Sequence, residues 1–346
     1  MKILHLLESN RFSGAENVVC QIITLFQNNQ DVEMVYCSRD GQIREILAEK
    51  NIAFVPIEKM SKENLQKVIA EQKPDIIHAH DRLASYYAAQ VFKNRRIIVH
   101  MHVNNNKGIK TLLKNILWTY YSRFYEHIFW VSNSAFRGFQ FHRIVKNKSS
   151  VLYNVINPHD IYEKAELDML DYSYDVVYVG RLSYQKNPQM LIDVCHKIIS
   201  QNPEIKIAIV GTGEYSEYIQ RYIRENSLEE NINYLGYMSN PLKLIQKAKC
   251  LVMTSRFEGT PMVALEAQIL GVPIVSTPVD GLIDIIKNGE NGYLNEKTEE
   301  MVAHILKIIQ DDELHLCLSQ RSVANITKLM DIERYKAVLS KKYGVK

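Results

Sequence analysis

The chain has 346 residues, of which 46% are hydrophobic and 23% are charged, and its formal net charge is +3. This composition is ordinary for a globular protein and leaves little room for long disordered segments. The near-neutral charge gives no support to nucleic-acid binding. The length is too great for one comfortable core and predicts two domains.

The five cysteines are widely separated and form no C-x-x-C pair. An odd, dispersed set argues against structural disulfides and against a cysteine-based metal site. The amino terminus has only a short apolar run, broken by His5, which does not suffice for a signal peptide. No run of 18 apolar residues occurs. We therefore expect a cytoplasmic protein without a membrane-spanning helix.

Short apolar runs alternate with helical patterns along the chain. In the first half the predicted strands are 2–8, 32–38, 53–57, 76–80, 96–102, 127–132 and 150–154. The second series is 175–181, 205–211, 232–237, 250–255 and 273–277. Strands that alternate with helices form parallel sheets, so the predicted fold class is α/β, with two tandem Rossmann-like domains.

The predicted domains are 1–160 and 161–330, followed by a helix over 331–346 that packs back on the N-terminal domain. Residues 157–174 are polar and acidic and contain Pro158, which favours a linker. The two domains are expected to face each other across a cleft, which is a usual place for a ligand.

The stretch FEGTPMVALEA, residues 257–267, carries two glutamates eight positions apart. Thr260 is predicted as the N-cap of a helix and Pro261 as its first residue, with the helix ending at Gly271. Glu258 would then lie in a loop at the carboxyl end of a strand, and Glu266 less than two turns into the helix. Ligands bind at that edge of a parallel sheet, and the helix start offers free N–H groups to a phosphate or sugar oxygen. The alternative is that the two glutamates simply lie on a solvated helix face. The small and apolar residues around them disfavour that interpretation.

Two further loops follow predicted strands. GRLSYQKN, residues 180–187, places Arg181 and Lys186 at the carboxyl edge of the second sheet, where two cations could neutralise a diphosphate. The alternative is two ordinary surface cations. SGAE, residues 13–16, begins a helix after the first strand, and Gly14 would let the backbone approach a phosphate. A plain loop remains an equal alternative there.

VGTGEY, residues 210–215, contains the first two glycines of a dinucleotide-binding fingerprint. Its third glycine position is Ser216, and no acid ends the next strand about 20 residues on. A nicotinamide-dependent enzyme is therefore disfavoured.

HMH, residues 100–102, ends a strand of the first domain, and alternation puts His100 and His102 on the same face of the sheet. A metal site would need a third ligand that the local spacing does not supply. His100 is interpreted as a buried strand histidine. For His102, at the end of the strand, a structural role and a site role are equally favoured.

Residues 105–148 are rich in basic and aromatic side chains and contain one acid, Glu126. The basic residues are Lys107, Lys110, Lys114, Arg123, Arg137, Arg143, Lys146 and Lys148, and the aromatic ones include Trp118, Tyr120, Tyr121, Phe124, Tyr125, Phe129, Trp130, Phe136, Phe139 and Phe141. Such helices can lie on an anionic membrane surface. The alternative is a set of core aromatics with solvated lysines. Binding to single-stranded nucleic acid is the least favoured interpretation.

Together these motifs resemble the retaining nucleotide-sugar glycosyltransferases of family four, which have the two-Rossmann GT-B architecture. The resemblance covers essentially the full length and is strongest from Val176 to Leu294. Its most specific element is the pair Glu258 and Glu266, separated by seven residues. The supporting motifs are 179–188, 209–214, 234–240, 270–277 and 288–294.

The resemblance implies roles for individual residues. Arg181 and Lys186 would hold the donor diphosphate, Glu258 would face the donor sugar, and Glu266 would bind the ribose. His102 would lie near the reacting sugar. The implied catalytic residues are Glu258, Arg181, Lys186 and His102. The implied donor-binding residues are Gly14, Arg181, Lys186, Glu258, Gly259, Thr260, Pro261, Met262 and Glu266.

The implied reaction is transfer of a UDP-linked hexose or N-acetylhexosamine, with retention, to a lipid-linked oligosaccharide during bacterial capsule or exopolysaccharide biosynthesis. The leaving diphosphate would assist deprotonation of the acceptor hydroxyl, and no catalytic metal and no cofactor besides the nucleotide sugar would be needed. The protein would work in the cytoplasm, peripherally on the inner face of the cell membrane. Two alternatives are a non-catalytic partner subunit or glycan-binding protein and, less favoured, a sugar-nucleotide epimerase.

Overall fold

The computed structural model describes residues 1–10, 12, 14–93, 95–102 and 109–345, with the backbone alone for residues 109, 110 and 280. It divides into two compact units. The first comprises Met1–Asn154 and Glu333–Lys346, and the second comprises Val155–Ile332.

The first unit is built on a seven-stranded parallel sheet in the order β3-β2-β1-β4-β5-β6-β7. Its strands are β1 Lys2–Leu6, β2 Glu33–Arg39, β3 Phe54–Ile57, β4 Ile76–Ala79, β5 Arg96–Met101, β6 His127–Trp130 and β7 Ser149–Val151. Its helices are α1 Gly14–Phe26, α2 Ile43–Glu49, α3 Lys62–Gln72, α4 Arg82–Val91, α5 Ile109–Tyr121, α6 Asn133–Gly138, α7 His142–Val145 and α16 Ile332–Tyr343.

The second unit has a six-stranded parallel sheet in the order β10-β9-β8-β11-β12-β13. Its strands are β8 Val176–Val179, β9 Ile207–Val210, β10 Ile232–Gly236, β11 Cys250–Met253, β12 Ile274–Ser276 and β13 Gly292–Leu294. Its helices are α8 Pro158–Glu166, α9 Pro188–Gln201, α10 Ser216–Glu225, α11 Leu242–Lys247, α12 Met262–Ile269, α13 Asp280–Ile285, α14 Thr298–Gln310 and α15 Asp312–Leu329. Three 3₁₀ turns, Ser122–Phe124, Lys146–Lys148 and Tyr184–Lys186, complete the elements.

The central strands read as nearly continuous apolar runs because helices cover both faces of a parallel sheet. Strand β11, for example, is buried at every position, as is β9. This is why every strand predicted from the sequence is present; β2 keeps its length and is shifted by one residue, and the others are shorter than predicted by one to three residues. Strand β13 was missed, since its three residues follow a glycine-rich turn and form no apolar run.

The predicted linker over 157–174 is wrong in its first half, which forms α8. Asn157 caps that helix, accepting a hydrogen bond from the backbone N–H of His159 (3.1 Å), and Pro158 is its first residue. Proline is favoured at that position because its missing N–H is not needed there. The polar, acidic composition thus belongs to the exposed face of a helix.

Helix α16 joins the first unit although it follows the second unit in sequence. Arg96 of β5 donates hydrogen bonds to the carbonyl oxygens of Lys342 and Tyr343, both at 2.6 Å. The hydroxyl of Tyr343 lies 2.8 Å from Nδ1 of His78, and its ring packs edge-on against Phe26. The last helix therefore completes the core of the N-terminal sheet.

Candidate functional site

In the second unit the strand order reverses between β8 and β11, which pair with each other. Such a reversal separates the loops that follow the two strands and opens a crevice at the carboxyl edge of the sheet, where ligands bind in open α/β folds. The loop after β8 carries Arg181 and Lys186, and the loop after β11 carries Glu258. The fold thus brings both predicted donor-binding loops to one place.

Hydrogen bonds cross-link these two loops. The hydroxyl of Thr254 donates to the carbonyl oxygen of Lys186 (3.0 Å). The backbone N–H of Arg256 donates to the carbonyl oxygen of Gln185 (2.8 Å). The guanidinium of Arg256 also donates to the carbonyl of Tyr184 (2.6 Å) and lies over its ring. The two loops therefore form one rigid surface.

Lys186 and Glu258 form an ion pair across this surface. The side chains of Lys186 and Glu258 are 17% and 5% exposed, respectively. The same oxygen of Glu258 accepts a hydrogen bond from Ser255 (2.5 Å), and Gln185 donates to the other oxygen (3.4 Å). Buried carboxylates are stable only when paired in this way. The sequence predicted both charges at the site but not their contact.

Arg181 is exposed, and its guanidinium has no hydrogen-bond or ion-pair partner among the described residues. The backbone beside it is held by glycines of the neighbouring strand. A Cβ on Gly211 would collide with the carbonyl oxygen of Gly180, and one on Gly213 would collide with that of Leu182. The VGTGEY motif therefore lets the β8 and β9 loops touch, which explains its glycines without a dinucleotide.

The segment Gly259 to Met262 lies between the ion pair and α12. Helix α12 begins at Met262 with Pro261 as its N-cap, and no side chain caps it. The prediction of Thr260 as N-cap was therefore wrong by one residue, and Thr260 is instead buried at 6% exposure. Gly281 of α13 was missed by the sequence reasoning. A Cβ there would collide with the carbonyl oxygen of Gly259, so the site loop packs directly on the backbone of α13.

Glu266 lies on α12 and is half-buried. Its carboxylate makes no hydrogen bond or ion pair with any described residue. Burial raises the pKa of Glu266 to about 7, against a smaller lowering by Lys164. A carboxylate held without an internal partner at the ligand edge is a group able to accept hydroxyl donors from a ligand.

In the first unit the reversal falls between β1 and β4. Gly14 is the first residue of α1, as expected for the loop after β1. Asp81 links the loops that follow the two strands, since its carboxylate accepts from the backbone N–H of Glu8 and of Ala84, both at 2.7 Å. Burial raises the pKa of Asp81 to about 6. Sequence spacing gave no sign of this residue.

His102 follows β5 and is 9% exposed. Its Nε2 lies 3.1 Å from Nδ1 of His80, and its ring stacks on that of His100 (centroids 4.4 Å apart). Burial lowers the pKa of His102 to about 3, so the ring is neutral at pH 7. The expectation that no third ligand accompanies His100 and His102 was wrong: β4 supplies His80, and nitrogens of the three rings lie within 4.8 Å of one another.

In the basic aromatic segment, residues 105–108, including Lys107, lie outside the described residues. Both tryptophans are core residues: Trp118 and Trp130 are each 1% exposed, and the indole of Trp118 donates to Ser85 (2.8 Å). The exposed apolar residues on α5 are instead Leu112, Leu113, Ile116, Leu117 and Tyr120. Among the described residues, no helix has the length and apolar character that crossing a bilayer requires.

The two parallel-sheet units define the two-Rossmann-like GT-B fold. The described structure superposes on an Anabaena protein, Alr3699/HepE, crystallised in complex with UDP-glucose, with a TM-score of 0.85, 20% identity and 99% of each chain covered. A second similar structure is the lipopolysaccharide outer core galactosyltransferase WaaB in its apo form (TM-score 0.72, 23% identity, 99% of each chain). At these identities the likeness concerns the fold.

Sequence comparison gives the family. Residues 163–323 match the model "Glycosyl transferases group 1", and residues 12–160 match "Glycosyltransferase Family 4". The two matches together place the chain among the group 1 glycosyltransferases.

Individual relatives agree with this. The lipopolysaccharide 1,6-galactosyltransferase of Salmonella typhimurium is 24% identical over 90% of each chain. The poly(glycerol-phosphate) alpha-glucosyltransferase of Bacillus subtilis is 26% identical over 85% of this chain, which spans 44% of that relative's length.

Proposed function

We propose that this protein is a retaining glycosyltransferase, a hexosyltransferase that moves a sugar from a UDP-linked hexose or N-acetylhexosamine to a lipid-linked glycan. One observation carries the proposal. The two loops at the β8–β11 reversal join two cations, Arg181 and Lys186, to the carboxylate Glu258, with Glu266 on the helix that follows. A nucleotide sugar has a diphosphate with a sugar at each end. Cations at this edge of the sheet suit the diphosphate, and the acids and the loop backbone suit the sugar hydroxyls.

Each group has a distinct task in this proposal. Arg181, exposed and without an internal partner, takes the diphosphate as a charge-assisted hydrogen-bond donor. Lys186 keeps two donor positions beyond the one that meets Glu258, and these can reach the same phosphates. Glu266 accepts the ribose hydroxyls. The backbone from Gly259 to Met262 binds sugar hydroxyls beside Glu258.

Gly14 and His102 are the proposed ligand-binding residues of the first unit. Gly14 begins α1, where a backbone without a Cβ can approach phosphate oxygens. His102, being neutral, serves as a hydrogen-bond partner of the transferred sugar rather than as a cation.

The chemistry follows a front-face course. The bond between the sugar C1 and the diphosphate breaks, the acceptor oxygen attacks the same face of C1, and the departing diphosphate takes the acceptor proton. The electron pair of the broken bond stays on the diphosphate, where Arg181 and Lys186 stabilise the developing charge. The proposal is metal-independent because those two cations supply the charge.

The first experiment is a thermal-shift screen of the full chain against UDP, GDP, ADP and common UDP-sugars. A ligand that binds only the folded state raises the apparent melting temperature. UDP should stabilise the wild type, and Arg181→Ala and Glu266→Ala should lose most of that response. Arg221→Ala serves as a matched control, because Arg221 is exposed on α10 (63%) and bonded only within that helix. No response to any nucleotide would overturn the donor site.

A second experiment tests the reaction. With a responding UDP-sugar and a lipid-linked acceptor, the anomeric proton of the product should show the same configuration as the donor by NMR. Transfer should continue in excess EDTA. An inverted product, or complete loss of transfer in EDTA with recovery on adding Mg²⁺, would contradict the retaining or the metal-independent part.

We further propose that the exposed apolar residues of α5 rest on the inner face of the cell membrane, where a lipid-linked acceptor is found. Five large apolar side chains stand exposed on one short helix that also carries Lys114. Leu113→Gln and Ile116→Gln should weaken binding to anionic vesicles, and neutralising Lys110 and Lys114 should lower its salt dependence. Leu316→Gln, at an equally exposed residue of the second unit, is the control. Unchanged vesicle binding in the α5 variants would contradict the proposed membrane contact and leave the proposed transfer reaction unaffected.

The alternative of a non-catalytic partner subunit or glycan-binding protein is not favoured. Such a protein would have no need for the diphosphate cations and both glutamates, and all four are present in the second unit. The same thermal-shift screen separates the two, because a partner subunit would show no nucleotide response.

A further inference from the structure

Five buried histidines lie on one face of the first sheet, on the adjacent strands β1, β4 and β5 or directly after them. They are His5, His78, His80, His100 and His102. In the parallel register His5 is paired with His78, and the pairing of Ala79 with Val99 brings His80 beside His100. Only His102 is implicated in the proposed function, so the other four need a physical explanation.

Three of these rings form a hydrogen-bonded chain. Nδ1 of His5 lies 3.0 Å from Nε2 of His80, and Nδ1 of His80 lies 3.1 Å from Nε2 of His102. The two end nitrogens, Nε2 of His5 and Nδ1 of His102, are buried and have no hydrogen-bond partner among the described residues. The chain runs from the buried strand β1 to the carboxyl end of β5.

All three rings are neutral at pH 7. Burial lowers the pKa of His5 and of His102 to about 3, and burial together with neighbouring histidines lowers that of His80 well below its usual value. A neutral imidazole carries one N–H and one acceptor nitrogen. The three rings together therefore carry three N–H protons, and two of these form the two hydrogen bonds between the rings.

This count leaves only two arrangements. If His80 gives its proton to His102, it must accept from His5, and the third proton lies on Nδ1 of His102. If His80 gives its proton to His5, it must accept from His102, and the third proton lies on Nε2 of His5. Any other distribution would either break one of the two hydrogen bonds or make His80 an anion or a cation.

The two arrangements differ in which end carries an unsatisfied N–H. Buried N–H groups without a partner are rarer than unsatisfied acceptors. His5 is fully buried, whereas His102 is 9% exposed at the ligand edge of the sheet. Nδ1 of His102 is itself covered, but it lies at the carboxyl edge of the sheet, where an incoming ligand oxygen can satisfy an N–H that the protein leaves unpaired. The proton is therefore better placed on Nδ1 of His102, with the bare nitrogen left on His5.

We propose that His5 and His80 are positioning residues that hold His102 as its Nδ1–H tautomer, the form in which His102 can donate a hydrogen bond to a ligand oxygen at the carboxyl edge of the first sheet. The catalytic half of this inference rests on the proposed function; the tautomer does not. A neutral histidine in water favours the Nε2–H tautomer. The hydrogen bonds from His5 and His80 therefore impose on His102 the less common Nδ1–H tautomer.

A divalent metal ion on the same histidines is the competing interpretation. His80, His100 and His102 bring ligand nitrogens within 4.8 Å, as do His5, His78 and His80. Both groups need His80, whose two nitrogens already form the chain, and neither group contains a carboxylate to balance the ion's charge. Metal-bound histidines usually donate their second N–H to a carbonyl or carboxylate, whereas in either group the second nitrogen of His80 lies beside another histidine. The hydrogen-bonded chain is therefore favoured.

The test is ¹⁵N NMR of the full chain with ring-labelled histidine and no donor present. His102, assigned by the signals lost in His102→Gln, should show a protonated Nδ1 and an unprotonated Nε2. His80→Phe should shift His102 towards the Nε2–H form. His127→Phe is the control, since His127 lies on β6, outside the hydrogen-bonded histidines, and its Nε2 lies 2.8 Å from the hydroxyl of Ser150. An Nε2–H tautomer in the wild type would overturn the proposal.

A conservative pair separates positioning from packing. His5→Asn keeps an amide donor near the place of Nδ1 and should preserve the tautomer of His102, whereas His5→Leu should not. In transfer assays, His80→Phe should lower kcat about tenfold or more with the donor KM nearly unchanged, as expected when a tautomer is lost. If the tautomer of His102 is as expected but kcat does not fall in His80→Phe, the proposed role of the three histidines in transfer is overturned. The hydrogen bonds among His5, His80 and His102 would still be confirmed.

Addition of Co²⁺ decides the metal alternative. The expected result is no visible absorption from a tetrahedral complex. A visible spectrum that appears at one Co²⁺ per protein and is absent in His80→Phe would show that these histidines bind a metal. It would overturn the proposed hydrogen bonds among His5, His80 and His102.

Discussion

The ammonium group of Lys186 contacts the carboxylate of Glu258, and the Glu258 side chain is only 5% exposed. These residues lie 72 positions apart, on the loops that follow β8 and β11. The contact means that the predicted diphosphate cation and the predicted sugar acid hold each other in place. A donor would therefore meet a surface that is already organised.

Breaking this pair should cost stability. Lys186→Met removes the ammonium partner of a buried carboxylate, and we expect a loss of about 2–4 kcal/mol in the free energy of unfolding. The double variant Lys186→Met with Glu258→Gln should recover part of this, giving a coupling of about 1–3 kcal/mol in urea unfolding. Additive single effects would show that the pair is not coupled.

Glu266 should make stability depend on pH. Its pKa rises from 4.5 in the unfolded chain to about 7 in the folded one. Between these values the folded state binds more protons, so stability falls as the pH rises from about 4.5 to 7 and is level above 7. Glu266→Gln should be more stable than the wild type above pH 7, by about 1–3 kcal/mol, because a half-buried carboxyl keeps some water.

The measurement is urea unfolding of both proteins at pH 5 and pH 8. At pH 5 the difference should nearly vanish. An equal difference at the two pH values would mean that the carboxyl of Glu266 does not titrate in this range.

The same ionisation should govern nucleotide binding. Only the ionised carboxylate of Glu266 can accept two ribose hydroxyls, so UDP affinity should rise between pH 6 and pH 8. The nucleotide's own phosphate also titrates there, and calorimetry on Glu266→Gln isolates the protein's contribution. The wild type should gain several-fold more affinity than the variant. Parallel pH profiles would place the ribose elsewhere.

Gly281 should be intolerant of any side chain. A Cβ there would collide with the carbonyl oxygen of Gly259, so Gly281→Ala must displace the loop before α12. We expect a loss of about 2 kcal/mol or more and weaker UDP binding. Ile283→Ala, at an exposed position of the same helix (52%), should be nearly neutral in both measurements.

Helix α16 allows a matched pair of substitutions. Tyr343 and Tyr335 are both buried on that helix. The hydroxyl of Tyr343 bonds to His78, whereas that of Tyr335 has no hydrogen-bond partner in the described part of the chain. Tyr343→Phe should therefore cost about 1–2 kcal/mol, and Tyr335→Phe should be neutral or slightly stabilising. Equal effects in urea unfolding would contradict the hydrogen bond to His78.

The sequence alone determined the features that depend on local periodicity and on spacing along the chain. Apolar runs of four to seven residues predicted the parallel strands, since strands covered on both faces need no alternation. Gly271 ended the predicted helix where the structure places a left-handed backbone (φ +73°). The motif order from Val176 to Leu294 indicated the GT-B fold and put Arg181, Lys186 and the two glutamates in loops and a helix start at strand ends.

Only the tertiary structure decided which of these residues touch. The pair Lys186–Glu258 and the contact of Gly259 with Gly281 depend on how loops after different strands pack. The chain from His5 through His80 to His102 depends on the order β1-β4-β5, which places residues 75 and 22 positions apart side by side. Neighbouring strands in a parallel sheet are joined by long crossovers, so their register is fixed by packing over the whole sheet and leaves no local trace in the sequence.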